Sequence, residues 1–513
     1  MICQCLTAPD IAGWVEEIRE QREYAILYEL RFDLLADLKT GSPAAIGRLL
    51  DRVSTEVLPE LSGKPWIAVV RRGEDLGGWP VSDERARIEV LRSILQRLEP
   101  RYIELELGFT DETVTGFAGA HGTTIVRSFH DFAGTPEELD RVFDETGART
   151  DEIAKLVVTP QSAADLLRLY ETATRFRRKT GKRYIVTGTG EYGLPSVVAP
   201  ALFGSEWTYA FTGDPGSGGD PGGTERAAPG RYTPKELAET YRAGRAQPEW
   251  PLFAVLGAPV AHSRSPEYHN RRFREEGIEA LYVPIRADSF AEFEALAEAL
   301  SIRGVSVTVP HKEAALAAAG TRVSKSARGV GAANTLVRIL PRGWRADNTD
   351  VAGFLSAIDT EKLDTALVIG AGGAARAIVS ALTGVGIDVY IANRTPERAL
   401  ALARHFGLGE TRVRSLDGPF DDLHPDIVVQ TTSVGMEPNP DRDPLPNYRF
   451  AGTEVVYDII YTPEETLFLH RAGCAGCRVI TGRKMFDSQA EAQFVQYRKE
   501  SGITGASRLK RFG

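Results

Sequence analysis

The chain has 513 residues, 42% hydrophobic and 26% charged, so it is too long for one hydrophobic core and too ordinary in composition for a disordered or fibrous protein. Two to four domains are expected. The formal net charge of −9 makes nucleic acid and anionic membrane surfaces unsuitable partners. Four cysteines, Cys3, Cys5, Cys474 and Cys477, sit in pairs near the two ends. Their spacing builds neither a disulfide framework nor a paired zinc site, so the lone CxxC at 474–477 reads as structural thiols in a reducing cytoplasm, and no metal site is expected. The first residues lack a basic segment followed by an apolar core, and no apolar run approaches the ~20 residues that span a bilayer. A cytoplasmic location is expected; the oligomeric state is left open.

Residues 1–210 alternate short apolar runs with helical patterns. The candidate strands are ICQCL (2–6), AILYEL (25–30), WIAVV (66–70), YIELEL (102–107), TTIVRSF (123–129), AKLVV (154–158), RYIVTG (183–188) and WTYAF (207–211). Between them lie stretches such as 83–98, with apolar residues at three- and four-residue spacing. Eight βα repeats predict a (β/α)8 TIM barrel over 1–244. Residues 212–231 are too rich in Gly and Pro for regular structure and read as a long loop after the eighth strand, either a lid or an insertion. A helix is expected over 234–243 and a linker over 245–251.

A second α/β pattern starts at 252 with LFAVLG, LYVPI and GVSVTVP. In GVSVTVPHKEAAL (304–316) a strand ends in Pro310 and is followed directly by Lys312, then by an alanine-rich helix pattern. Strand ends in α/β proteins are where ligands bind, which gives that lysine a reading beyond a surface charge. A third block begins near 351. TALVIGAGGAARAIVSAL (365–382) is a strand, a glycine turn and a helix, with Gly370, Gly372 and Ala375 in the G-x-G-x-x-G/A spacing of a Rossmann-type dinucleotide site. The second strand of that unit ends in ANRTPER (392–398), which offers Arg394, Thr395 and Arg398 and no acid before Glu397. Guanidinium groups suit a 2′-phosphate, so the expected cofactor is NADP. The second half therefore reads as two α/β blocks, the later one carrying the NADP site.

Along its whole length, 252–513 resembles shikimate dehydrogenase. The matching runs are GAPVAHSRSPEYHN (257–270), VTVPHKEAA (307–315), GAANTL (331–336), ADNTDVAGF (346–354), GAGGAAR (370–376), NRT (393–395), YDIIY (457–461) and SQAEAQF (488–494), in the family's order. The resemblance implies a two-lobed α/β dehydrogenase, with a substrate lobe over 252–350, completed by 480–513, and an NADP lobe over 351–479, in which Lys312 and Asp350 form the pair that holds and relays the proton for ketone reduction. It further implies that Ser263 and Ser265 hold the substrate carboxylate, and that Thr308, Asn334, Tyr461 and Gln489 contact the substrate ring. The cofactor would lie on Gly370, Ala371, Gly372, Gly373 and Ala374, with Asn393, Arg394, Thr395 and Arg398 at its adenosine end. Ser306 stands where many bacterial members have Asn, and His311 reads as a bystander.

Residues 1–240 resemble type I 3-dehydroquinate dehydratase through YELRFD (28–33), SFHDFAGTP (128–136) and DEIAKLVVTP (151–160). This implies that Lys155 forms an imine with the substrate ketone, that His130 shuttles protons, that Glu29 orients the histidine, and that Arg31 and Arg72 position substrate. Three positions depart from the family: Val197 in place of an arginine, Leu76 in place of a glutamate near Glu74 and Asp75, and Ala227 with Arg231 in the loop. Arg231 is expected to supply the guanidinium missing at Val197. The whole would then be a bifunctional shikimate-pathway enzyme acting on 3-dehydroquinate, 3-dehydroshikimate and shikimate. Its rivals are an active dehydrogenase with an inactive or ligand-binding barrel, an NAD-dependent quinate/shikimate dehydrogenase, and a non-catalytic sensor.

Overall fold

The computed structural model describes residues 1–40, 43–73, 77–80, 83–212, 231–339, 343–437 and 439–500. Two compact units are formed, Met1–Val255 with Pro259–Ser301, and Leu256–Ala258 with Ile302–Gly513.

In the first unit eight parallel strands make the expected barrel: β1 (Ile2–Leu6), β2 (Leu27–Arg31), β3 (Trp66–Val69), β4 (Tyr102–Glu106), β5 (Thr124–Asp131), β6 (Ile153–Val158), β7 (Tyr184–Gly188) and β8 (Thr208–Phe211). Each is hydrogen-bonded to its neighbour from β7 back to β1, and β1 to β8. The seam between β7 and β8 is bridged at its base, where Glu206 N donates to Tyr184 O (3.0 Å) and Val186 N to Ser205 Oγ (2.9 Å). Side chains alternate across each strand. Cys3, Cys5, Leu27, Ile67, Val69, Tyr102, Val126, Ile153, Ile185, Trp207 and Tyr209 fill the interior. Their neighbours Tyr28, Leu30, Trp66, Ala68, Ile103 and Leu105 face the helical layer. Several helices start on a short polar residue whose side chain satisfies a first-turn N–H: Asp10 to Gly13 N (2.8 Å), Asp111 to Val114 N (3.0 Å) and Ser162 to Asp165 N (3.1 Å).

Two details differ from the sequence reading. β5 runs on to Asp131, which places His130 inside the strand. The helix expected over 234–243 stops at Glu239, and the chain turns through Arg242 at φ 54°. The loop expected over 212–231 lies outside the described residues but for its two ends, as do Glu74, Asp75, Leu76 and Ala227.

β9 (Leu252–Gly257) runs from the first unit into the second, and β10 (Leu281–Arg286) belongs to the first. In the second unit β11 (Ile302–Val307), β12 (Thr335–Arg338) and β13 (Trp344–Asp347) are adjacent in that order, with antiparallel pairing on both sides of β12. The long helix Arg483–Glu500 returns to this lobe: Gln493 Nε2 donates to Asn334 O and to Thr335 Oγ1, both at 3.1 Å. The Rossmann lobe is a six-stranded sheet of β14 (Thr365–Ile369), β15 (Asp388–Asn393), β16 (Val413–Ser415), β17 (Ile427–Gln430), β18 (Val455–Asp458) and β19 (Arg478–Ile480), in the order β16-β15-β14-β17-β18-β19. The pairings β14–β15, β14–β17, β15–β16, β17–β18 and β18–β19 are all parallel. Val368, Val389 and Val429 face one apolar layer and Leu367, Ile369 and Val428 the other, as expected for strands buried on both sides.

Candidate active sites

Strand alternation decides which polar side chains enter the barrel. Glu29 and Arg31 on β2, Glu104 on β4, Ser128 and His130 on β5 and Lys155 on β6 share parity with the interior apolar residues, and Arg71 continues the inward series Ile67, Val69. Lys155 Nζ lies 2.5 Å from Glu104 Oε2 and 3.3 Å from Glu29 Oε2, and 4.2 Å from the centre of the Tyr209 ring. Arg71 reaches Glu104 at 2.9 Å and Glu29 at 3.8 Å. Two buried carboxylates therefore face two buried cations, the arrangement in which desolvated charges are tolerated. Arg31 forks onto Asp33 at 3.0 and 2.8 Å, and Asp33 also accepts from Gly78 N (2.9 Å).

His130 Nε2 is 3.5 Å from Glu104 Oε1, and its side chain is 1% exposed. Neither ring nitrogen has a hydrogen-bond partner among the described residues, nor do Ser128 Oγ and the Tyr209 hydroxyl. Burial, reinforced by Arg71, pushes the imidazole well below its ordinary value, so it is neutral. Burial would raise the Glu104 carboxyl, but Lys155 and Arg71 outweigh it and hold the group well below the usual carboxylate range. A neutral imidazole with unpaired nitrogens beside a buried lysine is equipped to move protons on a bound molecule.

Two expectations change here. The carboxylate nearest His130 is Glu104, whereas Glu29 faces Lys155 and Arg71. The arginine in the cluster is Arg71; Arg72 follows it with the outward parity of Trp66, Ala68 and Val70. The sequence reading missed Glu104, Arg71 and Tyr209. Val197 is 4% exposed, and its carbonyl accepts from Thr208 Oγ1 (2.8 Å). Arg231 lies 5.1 Å over the Phe211 ring at the end of β8.

In the second unit Lys312 opens the helix Lys312–Ala318, and its Nζ lies 2.6 Å from Asp350 Oδ2. The two side chains are 12% and 9% exposed. Asn334 Nδ2 donates to Asp350 Oδ1 (2.8 Å) and Thr349 Oγ1 (2.9 Å), and Asn348 Oδ1 accepts from Asp350 N (3.1 Å). Gln489 Oε1 is 3.5 Å from Asn334 Nδ2, and Tyr461 sits against Phe486 with ring centres 4.8 Å apart. Thr308 N donates to Leu256 O (2.9 Å), closing the strand end just before Lys312. Ser306 Oγ lies 2.7 Å from Gln493 Oε1 and 2.9 Å from the Tyr497 hydroxyl, both on the long C-terminal helix. Ser263 and Ser265 belong to the first unit, at the start of the helix Ser265–Glu275, where Ser263 Oγ accepts from Ser265 N (3.3 Å).

The glycine turn sits between β14 and the helix Gly373–Gly384. Gly370 has φ +116°, and a Cβ there would lie 2.4 Å from Thr431 Oγ1, so only glycine fits. A Cβ on Gly373 would come within 3.0 Å of Lys312 Cδ. Gly372 caps the helix without a side chain and the first turn carries no acid, which leaves its N–H groups for an anion. Arg394, just past β15, and Arg398, in the first turn of the following helix Pro396–His405, are exposed and have no ion-pair partner among the described residues. This donor set fits a dinucleotide bearing a 2′-phosphate.

Type I 3-dehydroquinase is the family that matches residues 2–247. The shikimate dehydrogenase substrate binding domain matches 255–336, and shikimate/quinate 5-dehydrogenase matches 355–436. The chloroplastic bifunctional 3-dehydroquinate dehydratase/shikimate dehydrogenase of Arabidopsis thaliana is 31% identical over 523 residues, covering 96% of this chain and 81% of the relative. The chain belongs to the bifunctional 3-dehydroquinate dehydratase/shikimate dehydrogenase family. Its dehydrogenase half is also 42% identical over 252 residues to the shikimate dehydrogenase (NADP(+)) of Acidiphilium cryptum, covering 48% of this chain and 90% of that one. The crystal structure of shikimate 5-dehydrogenase from Thermus thermophilus in complex with NADP(H) and shikimate is 38% identical, with a TM-score of 0.43, covering 50% of this chain and 94% of that one. In this bifunctional family member, no helix among the described residues is long and apolar enough to cross a membrane.

Proposed function

We propose that the barrel dehydrates 3-dehydroquinate to 3-dehydroshikimate through an imine on Lys155, and that the second half reduces this product to shikimate with NADPH. The observation that carries the reading is that each half holds its own enclosed lysine–carboxylate pair, Lys155 with Glu104 and Lys312 with Asp350. In the barrel the Lys155 amine adds to the substrate ketone, and loss of water gives the imine, an electron sink for the neighbouring carbon. Neutral His130 takes the C2 proton and returns a proton to the departing hydroxyl, which leaves as water. Hydrolysis of the imine frees the product and the lysine. Arg31 and Arg71 hold positive charge in the same interior for the substrate carboxylate.

In the dehydrogenase half, NADPH supplies the hydride when bound. Gly370 to Ala374 would hold its pyrophosphate, and Arg394 and Arg398 its 2′-phosphate. Lys312 gives a proton to the carbonyl oxygen, and Asp350, fixed by Asn334 and Asn348, holds the ammonium in place. Ser263 and Ser265 hold the substrate carboxylate. A reducing cytoplasm is the location that the cysteine spacing supports, since it builds no disulfide framework.

The test is borohydride trapping. Full-length protein with 3-dehydroquinate and borohydride is expected to carry a stable adduct on Lys155, read by intact and peptide mass spectrometry. A second reading has a specific observation in its favour: Val197 puts an apolar side chain where the dehydratase family carries an arginine. Absence of adduct, in a sample that still reduces 3-dehydroshikimate with NADPH, would replace the bifunctional reading with that of a dehydrogenase bearing a non-catalytic barrel.

Cofactor choice gives a further expected result. The double variant Arg394→Ala/Arg398→Ala should raise KM for NADP+ about 10–100-fold, the usual effect of losing charge-assisted bonds to phosphate, with KM for NAD+ within about twofold of wild type. Equal changes for both cofactors would count against the 2′-phosphate assignment and favour the NAD-dependent rival.

A further inference from the structure

The helix Gly190–Val198, which follows β7 of the barrel, carries a carboxylate that the dehydratase chemistry does not use. Glu191, with a side chain 9% exposed, turns toward the segment that joins β9 to the helix Ser265–Glu275. Its Oε1 accepts from Val260 N (2.5 Å) and Ala261 N (2.8 Å), and its Oε2 accepts from Arg286 Nη1 (2.7 Å) at the end of β10. The Arg286 guanidinium lies 4.6 Å over the Tyr192 ring, and the Tyr192 hydroxyl donates to Asp288 Oδ2 (2.5 Å). All of these residues belong to the first unit.

The two N–H groups that Glu191 binds sit in a turn outside any helix or strand, closed by Ser263 N donating to Val260 O (3.0 Å). That turn leads directly into Ser263 and Ser265. A carboxylate held by a guanidinium and accepting two backbone N–H bonds is a stiff anchor, because charge-assisted bonds are roughly twice as strong as neutral ones. A turn without ladder bonds depends on such an anchor for its shape, and a positioning group that drifts by about 1 Å loses much of its effect.

We propose that Glu191, a residue of the dehydratase barrel, is a positioning residue for the dehydrogenase: it fixes the Val260–Ser263 turn that presents Ser263 and Ser265 to the substrate carboxylate. The inference rests on the proposed role of those serines. It makes the barrel part of the dehydrogenase's substrate seat, beyond its own reaction.

The test uses the full-length chain and steady-state oxidation of shikimate with NADP+. Glu191→Ala should raise KM for shikimate about tenfold while kcat and KM for NADP+ stay within about twofold, the pattern of lost ground-state binding. Glu191→Gln, whose amide oxygen still accepts from both N–H groups, should give a smaller rise. Shikimate methyl ester, which lacks the anionic carboxylate, should lose little further in Glu191→Ala. An unchanged shikimate KM, an equal rise in KM for NADP+, or an equal loss with the ester would overturn the proposal and leave Glu191 as a structural contact only. Should Glu191→Ala fold poorly, Glu191→Gln and Arg286→Met decide by the same criteria. A wild-type chain that does not oxidise shikimate at all would instead overturn the reading of function beneath it.

Discussion

Lys155→Ala is expected to cost the dehydratase reaction about 10⁴-fold or more in kcat, the scale seen when a covalent nucleophile is removed. Among the described residues no other amine stands in its place: Arg31 and Arg71 keep their charge and do not form imines. The variant also takes one of two cations from a buried cluster, leaving Glu29 and Glu104 to share Arg71. Breaking a buried pair in this way costs about 3–5 kcal/mol of stability, so loss of activity alone would be ambiguous. Circular dichroism and thermal unfolding of the full chain resolve it. A Lys155→Ala chain that dehydrates nothing, keeps the wild-type spectrum and still unfolds cooperatively has lost chemistry and kept its fold. Substantial residual dehydratase turnover in that chain would exclude the imine route.

Lys312→Ala should mirror this result. Reduction of 3-dehydroshikimate is expected to fall about 10²–10⁴-fold, the contribution of a positioned proton donor, with dehydratase turnover unchanged. Asp350→Asn probes the same pair from its other side. The amide keeps an oxygen for Asn334, but Lys312 loses the negative partner 2.6 Å from its ammonium. Its kcat should fall less than that of Lys312→Ala. A Lys312→Ala enzyme within tenfold of wild type would assign the proton to another donor.

The nucleophile and the proton donor were legible because each lies in a run whose residue types serve chemistry better than packing: a lysine inside an apolar strand at 155, and a lysine just past a proline-closed strand at 312. Their partners were legible to different degrees. Asp350 came with its motif. Glu104 did not, although Tyr102 and Glu104 alternate with the outward Ile103 and Leu105. A glutamate in a strand reads as solvent-facing until a closed barrel removes the solvent from that face. The arginine doublet at 71–72 posed the same problem, which the inward parity of Ile67 and Val69 settles. At 234–243 the burial pattern continued while the helix did not. Leu237 and Tyr241 are both buried at helical spacing, yet the backbone leaves the helix at Glu239. For Ser306 the sequence offers only a departure, a serine where many bacterial family members have Asn. Its hydroxyl is tied to Gln493 and Tyr497, contacts so distant in sequence that no local pattern announces them.

That last link bears on how the molecule is made. Ser306 and its partner Gln493 are 187 residues apart, and the helix that carries Gln493 also covers Asn334 and Thr335. On the ribosome the eighth barrel strand emerges roughly 290 residues before the end of that helix, an interval of about 15–60 s at ordinary rates of synthesis. The barrel has this time to close while the substrate lobe waits with a polar seam uncovered. The nascent protein is thus exposed to chaperones and proteases mainly through its dehydrogenase half, and a ribosome that stalls before Gln493 would release a chain whose first enzyme is finished and whose second is not.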